Sequence, residues 1–216
     1  MKKLSILLAV LLLGACAGGA NNGAPLSIYD FGIPASRPAG DDSWSKMALE
    51  IKAPSWFDSV NIQYRLAYED PLKLRSYATS RWAGVPAQLL AQRLRQQLGA
   101  AGATSNAAVD CLLRLDLQEF SQVFDTPQRS RAVLHGSVSV LDARRRVIAT
   151  RQLAVEQPAT AGDARGGVGA LVDASDEVGR QLAGWLGGLD KSGSLSACRG
   201  AASLSARPRF TRIGWR

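Results

Sequence analysis

Val109-Asp110-Cys111-Leu112-Leu113-Arg114-Leu115-Asp116-Leu117-Gln118-Glu119-Phe120-Ser121-Gln122-Val123-Phe124 is the stretch from which the fold is read. Leu113, Leu115 and Leu117 alternate with Arg114, Asp116 and Gln118, and a period of two belongs to a strand with one buried face. Phe120 and Phe124 fall on even numbers, so the apolar phase slips by one residue, and a bulge near Glu119 would absorb the slip. After a break around Pro127, Ala132, Leu134, Val138 and Val140 predict a second strand. Asp142-Ala143-Arg144-Arg145 makes a polar turn and residues 146–156 return as a third strand. The three predict an antiparallel meander.

Upstream, Met47, Leu49 and Ile51 alternate with polar neighbours over residues 46–52, and Pro54 stops that strand. Ser55-Trp56-Phe57-Asp58 then places two aromatics in a loop. Ile62, Tyr64, Leu66 and Tyr68 share one face of a further strand, with Gln63 and Arg65 on the other. Glu69-Asp70-Pro71 reads as a turn and Leu72 and Leu74 as a short third strand, so residues 62–76 form a hairpin. Arg81-Trp82 leads into a helix with Pro86 at its first position, where a missing N–H costs nothing. Val85, Leu89, Leu90, Leu94 and Leu98 form its stripe; Arg93, Arg95, Gln92 and Gln96 fill the opposite face, and Gly99 and Gly102 end it. Downstream of the meander, Asp163 caps a second helix, with Val168, Leu171, Val172, Ser175, Val178, Leu182, Trp185 and Leu186 at helical spacing and Gly187-Gly188 as its stop. The order is strand, hairpin, helix, meander, helix.

The N-terminus carries an address. Lys2 and Lys3 precede an apolar run from Leu4 to Leu13, too short for a helix that spans a bilayer, which needs about 20 residues. Leu13-Gly14-Ala15-Cys16 closes that run and is similar to the lipobox of bacterial lipoprotein precursors. The resemblance implies that residues 1–15 are removed as a signal peptide and that Cys16 is acylated. Ala17, rather than an aspartate, follows the cysteine, and similarity to the sorting pattern of enteric lipoproteins implies an outer-membrane anchor with the folded body facing the periplasm. Residues 16–45, rich in Ala, Gly, Asn, Pro and Ser, read as a flexible tether, within which Ile28-Tyr29-Asp30-Phe31 is expected as a short first strand. With Cys16 used by lipid, Cys111 and Cys198 remain in an oxidising compartment, and they predict a disulfide.

The full chain has a formal net charge of +8. The periplasmic address excludes nucleic acid as the partner and leaves anionic headgroups or an acidic protein. Residues 190–216 hold Lys191, Arg199, Arg207, Arg209, Arg212 and Arg216 against Asp190 alone, and read as a basic, mostly mobile tail. Catalytic chemistry finds little support. The single histidine, His135, lies on a polar strand face with Ser137 and Ser139 and has no nucleophile motif beside it. No zinc-type ligand spacing and no GxxxxGK[ST] phosphate loop occurs, so no metal and no cofactor is expected. Gly166-Gly167-Val168-Gly169 lacks the lysine of a phosphate loop and reads as close helix packing. Binding candidates are Trp56 and Phe57 in the loop and Arg81 with Trp82 as a cation–π pair.

Ile62-Gln63-Tyr64-Arg65, Leu74, Tyr77, Arg81-Trp82, Pro86 and Leu89-Leu90 occur in an order that resembles the auxiliary lipoproteins of ABC-type lipid transporters, the family that includes the paraquat-inducible lipoprotein C. Leu115-Asp116-Leu117-Gln118-Glu119-Phe120 and the helix to Trp185 extend the likeness over about residues 28–189. The resemblance implies an α/β (α+β) fold: a mixed, largely antiparallel sheet with two main helices packed on it, in one domain over residues 46–189. It also implies a non-enzymatic docking role beside a periplasmic mammalian-cell-entry (MCE) protein, with a permease and an ATPase as indirect partners. Some family members form rings, so a homo-oligomer is among the implied states. Tyr64 and Arg65 join the binding candidates on this ground. The alternative reading is a direct lipid carrier with an apolar groove between helix and sheet.

Overall fold

The computed structural model describes residues 25–34, 44, 46–102 and 109–198. Cys16, the signal peptide, most of the tether and residues 199–216 of the tail lie outside the described residues. The architecture is one mixed, largely antiparallel eight-stranded sheet with two helices.

The long alternating segment forms β6 (Cys111–Thr126), and everything else is arranged on its two edges. Along one edge runs β7 (Arg129–Asp142), antiparallel over its whole length, followed by β8 (Val147–Pro158). The register passes from Leu117 opposite Gly136 to Glu119 opposite His135, which leaves Gln118 as the extra residue. That bulge explains the phase slip: Leu113, Leu115 and Leu117 before it and Phe120 after it are all buried.

Two shorter strands share the other edge of β6, both parallel to it. β2 (Met47–Lys52) pairs with its first half, with Met47 opposite Cys111 and Lys52 opposite Asp116. β3 (Asn61–Leu66) pairs with its far end, with Tyr64 opposite Gln122 and Leu66 opposite Phe124. The chain between them leaves the sheet and makes a 3-10 turn over Ser55–Phe57. The sheet is therefore forked. β5 (Ala101–Gly102) extends the β2 prong, while β4 (Asp70–Trp82) and β1 (Ser27–Tyr29) extend the β3 prong.

Helix α1 (Pro86–Leu98) packs on β2, and α2 (Ala164–Lys191) packs on β6, β7, β8 and α1. One core lies between the helices and the sheet, with Ile62, Leu90, Leu94, Phe120, Leu134, Leu171 and Leu182 essentially inaccessible. Pro86 stands at the start of α1, and Gly99 closes it at φ 64°, where an L side chain would be strained. Asp163 caps α2 by accepting a hydrogen bond from the Gly166 N–H at 2.7 Å.

Several expectations are corrected. The hairpin turn is Ala67–Glu69, and Pro71 lies inside β4. β4 is not a short strand but runs thirteen residues, so Arg81 and Trp82 end a strand rather than a loop. The short first strand expected around Ile28-Tyr29-Asp30-Phe31 is present as β1, which pairs with Ser80–Trp82, and Phe31 after it is buried, so this part of the tether is packed. Helix α2 passes through Gly187-Gly188 and stops at Lys191. Each glycine costs about 1 kcal/mol in a helix interior. The burial of Leu186 and, past the helix, of Leu195 and Cys198 favours the extended path. The start of the tail is thus fixed, and the predicted Cys111–Cys198 disulfide is present, with Cα atoms 5.1 Å apart.

Candidate functional site

The residues singled out in the sequence gather on the β3–β4 prong, but in different environments. Trp56 is 61 % exposed whereas Phe57, next to it in the 3-10 turn, is 2 % exposed and part of the core. The turn is held to the sheet because the Gln63 side-chain amide donates to the Trp56 carbonyl at 3.2 Å. Trp82 is also a core residue, with its ring 5.3 Å from Phe31 and 6.0 Å from Phe120. Phe57 and Trp82 therefore shape the site from beneath, and Trp56 is the aromatic that reaches solvent.

Arg81 does not stack on Trp82. Successive strand residues point to opposite faces, and the Arg81 guanidinium donates instead to the carbonyls of Tyr77 and Ser80. Those carbonyls belong to an irregular stretch of β4, where the register jumps from Asn61 opposite Arg81 to Gln63 opposite Ser76. Arg65 acts alike at the other end of the same strand. It donates to the Pro71 and Leu72 carbonyls where β4 bulges again, and it pairs with Glu119 at 3.0 Å beside the β6 bulge. Both arginines supply N–H donors to carbonyls that a regular ladder would have paired.

Tyr64 lies beneath this layer, with its ring 4.7 Å from Tyr77 and 5.9 Å from Phe124. The Tyr77 hydroxyl donates to Gln122 Oε1 at 2.8 Å, and Gln122 Nε2 donates to Ser130 Oγ at 2.8 Å. Gln122 is fully buried. A Cβ on Gly167 would overlap its amide, so the glycine pair near the start of α2 permits close packing, as its lack of a phosphate-loop lysine suggested. Burial first, then the neighbouring Tyr64 and Asp163, raise the Tyr77 pKa well above the ordinary value of 10.0. A raised folded pKa means that stability is intact below the unfolded value and falls as pH rises beyond it. Alkaline unfolding of the wild type should therefore steepen above about pH 10, and Tyr77→Phe should flatten that limb in a pH series of urea midpoints. An equal slope in both proteins would dissociate Tyr77 from the effect.

Two residues of this region escaped the sequence reading. Gln122 had a signal: once the phase slips, it shares a face with Phe120 and Phe124. Arg93, assigned to the polar face of α1, is 4 % exposed. Its guanidinium meets both Asp176 oxygens at 2.7 Å and donates to the Phe31 and Gly32 carbonyls at 3.0 and 3.3 Å. Nothing in the periodicity of α1 announces a partner on α2.

His135 lies half-buried on the sheet face away from the helices, opposite Glu119 and Ala154. Among the described residues no three histidine, cysteine or carboxylate side chains converge to hold a metal, and no helix is long and apolar enough to cross a membrane. One hollow of about 330 Å³ is open and lined by Glu50, Asp110, Arg114, Asp142 and Arg145 beside Ala48 and Leu112, and another of about 600 Å³ is open and edged by Asp125, Arg129, Arg131 and Glu156.

The family model described as the ABC-type transport auxiliary lipoprotein component matches residues 29–183, from the end of β1 to the body of α2. The chain belongs to this family. The match takes in both prongs, both bulges of β4 and the Arg93–Asp176 contact, and it stops short of Cys198. The fold is similar to that of protein XCC0632 from Xanthomonas campestris, of the DUF330 family, with a TM-score of 0.65 at 22% identity over 77% of this chain and 99% of that one. It is also similar to a crystal structure of an uncharacterized protein, with a TM-score of 0.59 at 13% identity over 75% of this chain and 99% of that one. No curated protein matches the sequence.

Proposed function

We propose that this auxiliary lipoprotein is the outer-membrane-anchored, non-enzymatic docking component of an ABC-type system that moves lipid between membranes, with an MCE-class periplasmic protein as its partner. The observation that carries the reading is the family match over residues 29–183, most of the folded body. The Leu13-Gly14-Ala15-Cys16 motif supports the anchor, and Ala17 supports the outer membrane as its place. A folded surface is enough for docking. The carrier alternative needs an apolar groove between helix and sheet, whereas the inner face of the sheet is filled by side chains, and the hollows of about 330 and 600 Å³ are open and edged with charges. Docking is therefore the better supported of the two.

Cross-linking of the tagged lipoprotein in intact cells tests the partner. The expected capture is an MCE-class protein, and its absence from the captured set overturns the docking role. Cys16→Ser tests the anchor: the protein should leave the outer-membrane fraction and appear in soluble periplasm, because acyl chains give about 0.8 kcal/mol per buried methylene and little else holds the body to lipid so firmly. A variant still recovered quantitatively with the outer membrane would overturn it.

A further inference from the structure

The exposed large apolar side chains of the described residues are unevenly placed. All but Val147 lie on β1, on the β3–β4 hairpin or on the segments that adjoin them in sequence. Ile33 is 95 % exposed and Leu72 88 %, and Ile28, Trp56, Leu26 and Tyr68 are each at least 46 % exposed. The register sets several of them close together. Ile28 stands opposite Arg81, Arg81 stands opposite Asn61, and Gln63, two residues along from Asn61, holds the Trp56 turn. Strands are spaced by about 4.8 Å, so Ile28, Asn61 and the Trp56 turn occupy one small region of a single lobe. Lys73 is exposed beside Leu72 at the hairpin tip, where a long basic chain can reach a headgroup while its stem stays on apolar surface.

The same lobe receives the anchor. β1 is paired into the sheet from Ser27, so only about ten residues separate Cys16 from the packed structure, with a full reach of roughly 35 Å. An acylated Cys16 therefore keeps the β1 edge within that distance of the lipid surface. The distance is shorter than β6 itself, whose sixteen residues extend about 50 Å.

We infer that the β1–β3–β4 lobe lies against the phospholipid surface, with Trp56, Ile28 and Leu72 seated at headgroup level. This rests on the anchor proposed above and adds a second contact to it. Tryptophan suits that depth because its ring is apolar and its indole N–H is polar. An amphipathic surface adds to an acyl anchor by the apolar area it buries, and basic side chains add attraction to anionic lipid.

The test uses the mature chain carrying Cys16→Ser, which removes the acyl contribution, floated with vesicles of phosphatidylethanolamine and phosphatidylglycerol. Wild-type side chains should give measurable flotation. The triple variant Ile28→Ser, Trp56→Ser, Leu72→Ser should reduce the partition coefficient about tenfold, and Val147→Ser should leave it unchanged. If thermal unfolding shows the triple variant destabilised, Leu72→Ser alone at the hairpin tip replaces it, with a fall of about twofold expected. Four results would overturn the inference: no flotation of the parent chain; equal flotation of parent and variant; loss caused instead by Arg207→Ser, Arg209→Ser and Arg212→Ser in the tail; or a dimer in solution that the triple variant abolishes, which would make a second copy the occupant. Acyl labelling of Cys16 is read separately in the native chain, so failure of the anchor and failure of the lobe are told apart.

Discussion

Cys198→Ser lowers the thermal unfolding midpoint by roughly 10 °C. The bond joins the first residue of β6 to the 3-10 turn Ser196–Cys198 beyond α2, across a separation of 87 residues. On the chain-entropy account, closing a loop of that size restricts the unfolded chain by about 4–5 kcal/mol. For a domain of this length each kcal/mol moves the midpoint by about 2–4 °C. The loss should also be local. Leu195 and Cys198 are buried, and the last turns of α2 contain Gly187 and Gly188, whose intrinsic helix preference is poor. With the bond gone, amide exchange should accelerate first over residues 187–191, before the sheet is affected. Dithiothreitol should reproduce the shift in the wild type and leave Cys198→Ser unchanged. A shift under about 2 °C, or the same response to reductant in both proteins, would mean that packing of Leu195 alone holds the end of α2.

The disulfide also marks the boundary of what local pattern can reveal. Compartment and an even cysteine count identified the pair without any geometry. The long strand, its bulge, the meander, Pro86 and Gly99 were legible for a similar reason, since each is a local rule about period or backbone conformation. What was missed depends on tertiary contacts and bulges that an apolar period does not announce. The length of β4 was hidden because Pro71 and the Tyr77–Ser80 irregularity look like breaks; Arg65 on β3 serves the first and Arg81, at the end of β4 itself, serves the second. The short strand around Ile28-Tyr29-Asp30-Phe31 stood out from the tether, but its parallel pairing with Ser80–Trp82, about fifty residues on, had no local sign. Trp56 and Phe57 are neighbours of the same chemical kind, and only the fork in the sheet decides which one turns inward.

Asp176→Ala destabilises the protein by about 3 kcal/mol, read as a shift in urea midpoint at unchanged m-value. The Arg93 guanidinium is buried, and among the described residues the Asp176 carboxylate, which meets it through two parallel hydrogen bonds, is the one anion it contacts; its other acceptors are backbone carbonyls and carry no formal charge. Removing one member of a buried pair costs about 3–5 kcal/mol because the other charge is left uncompensated. Asp176 keeps some exposure, with 24% of its side-chain surface accessible, so water can enter the gap and the lower end of that range applies. Replacing both members, Arg93→Met with Asp176→Leu, should recover most of the loss, since apolar side chains of similar volume carry no desolvation penalty. The double variant should nevertheless differ from wild type in one respect. Arg93 also donates to the carbonyls of Phe31 and Gly32, and these bonds fasten the chain just after β1 to α1. Without them β1 retains only three register pairs with β4. Limited proteolysis should then cut near Ile33 sooner in the double variant than in wild type, even where their urea midpoints agree. Equal cutting rates would show that the β1 pairing and the Phe31 ring suffice to hold that segment. Faster cutting would identify Arg93 as the residue that keeps the link from Cys16 to the fold short, and with it the distance of the domain from its membrane.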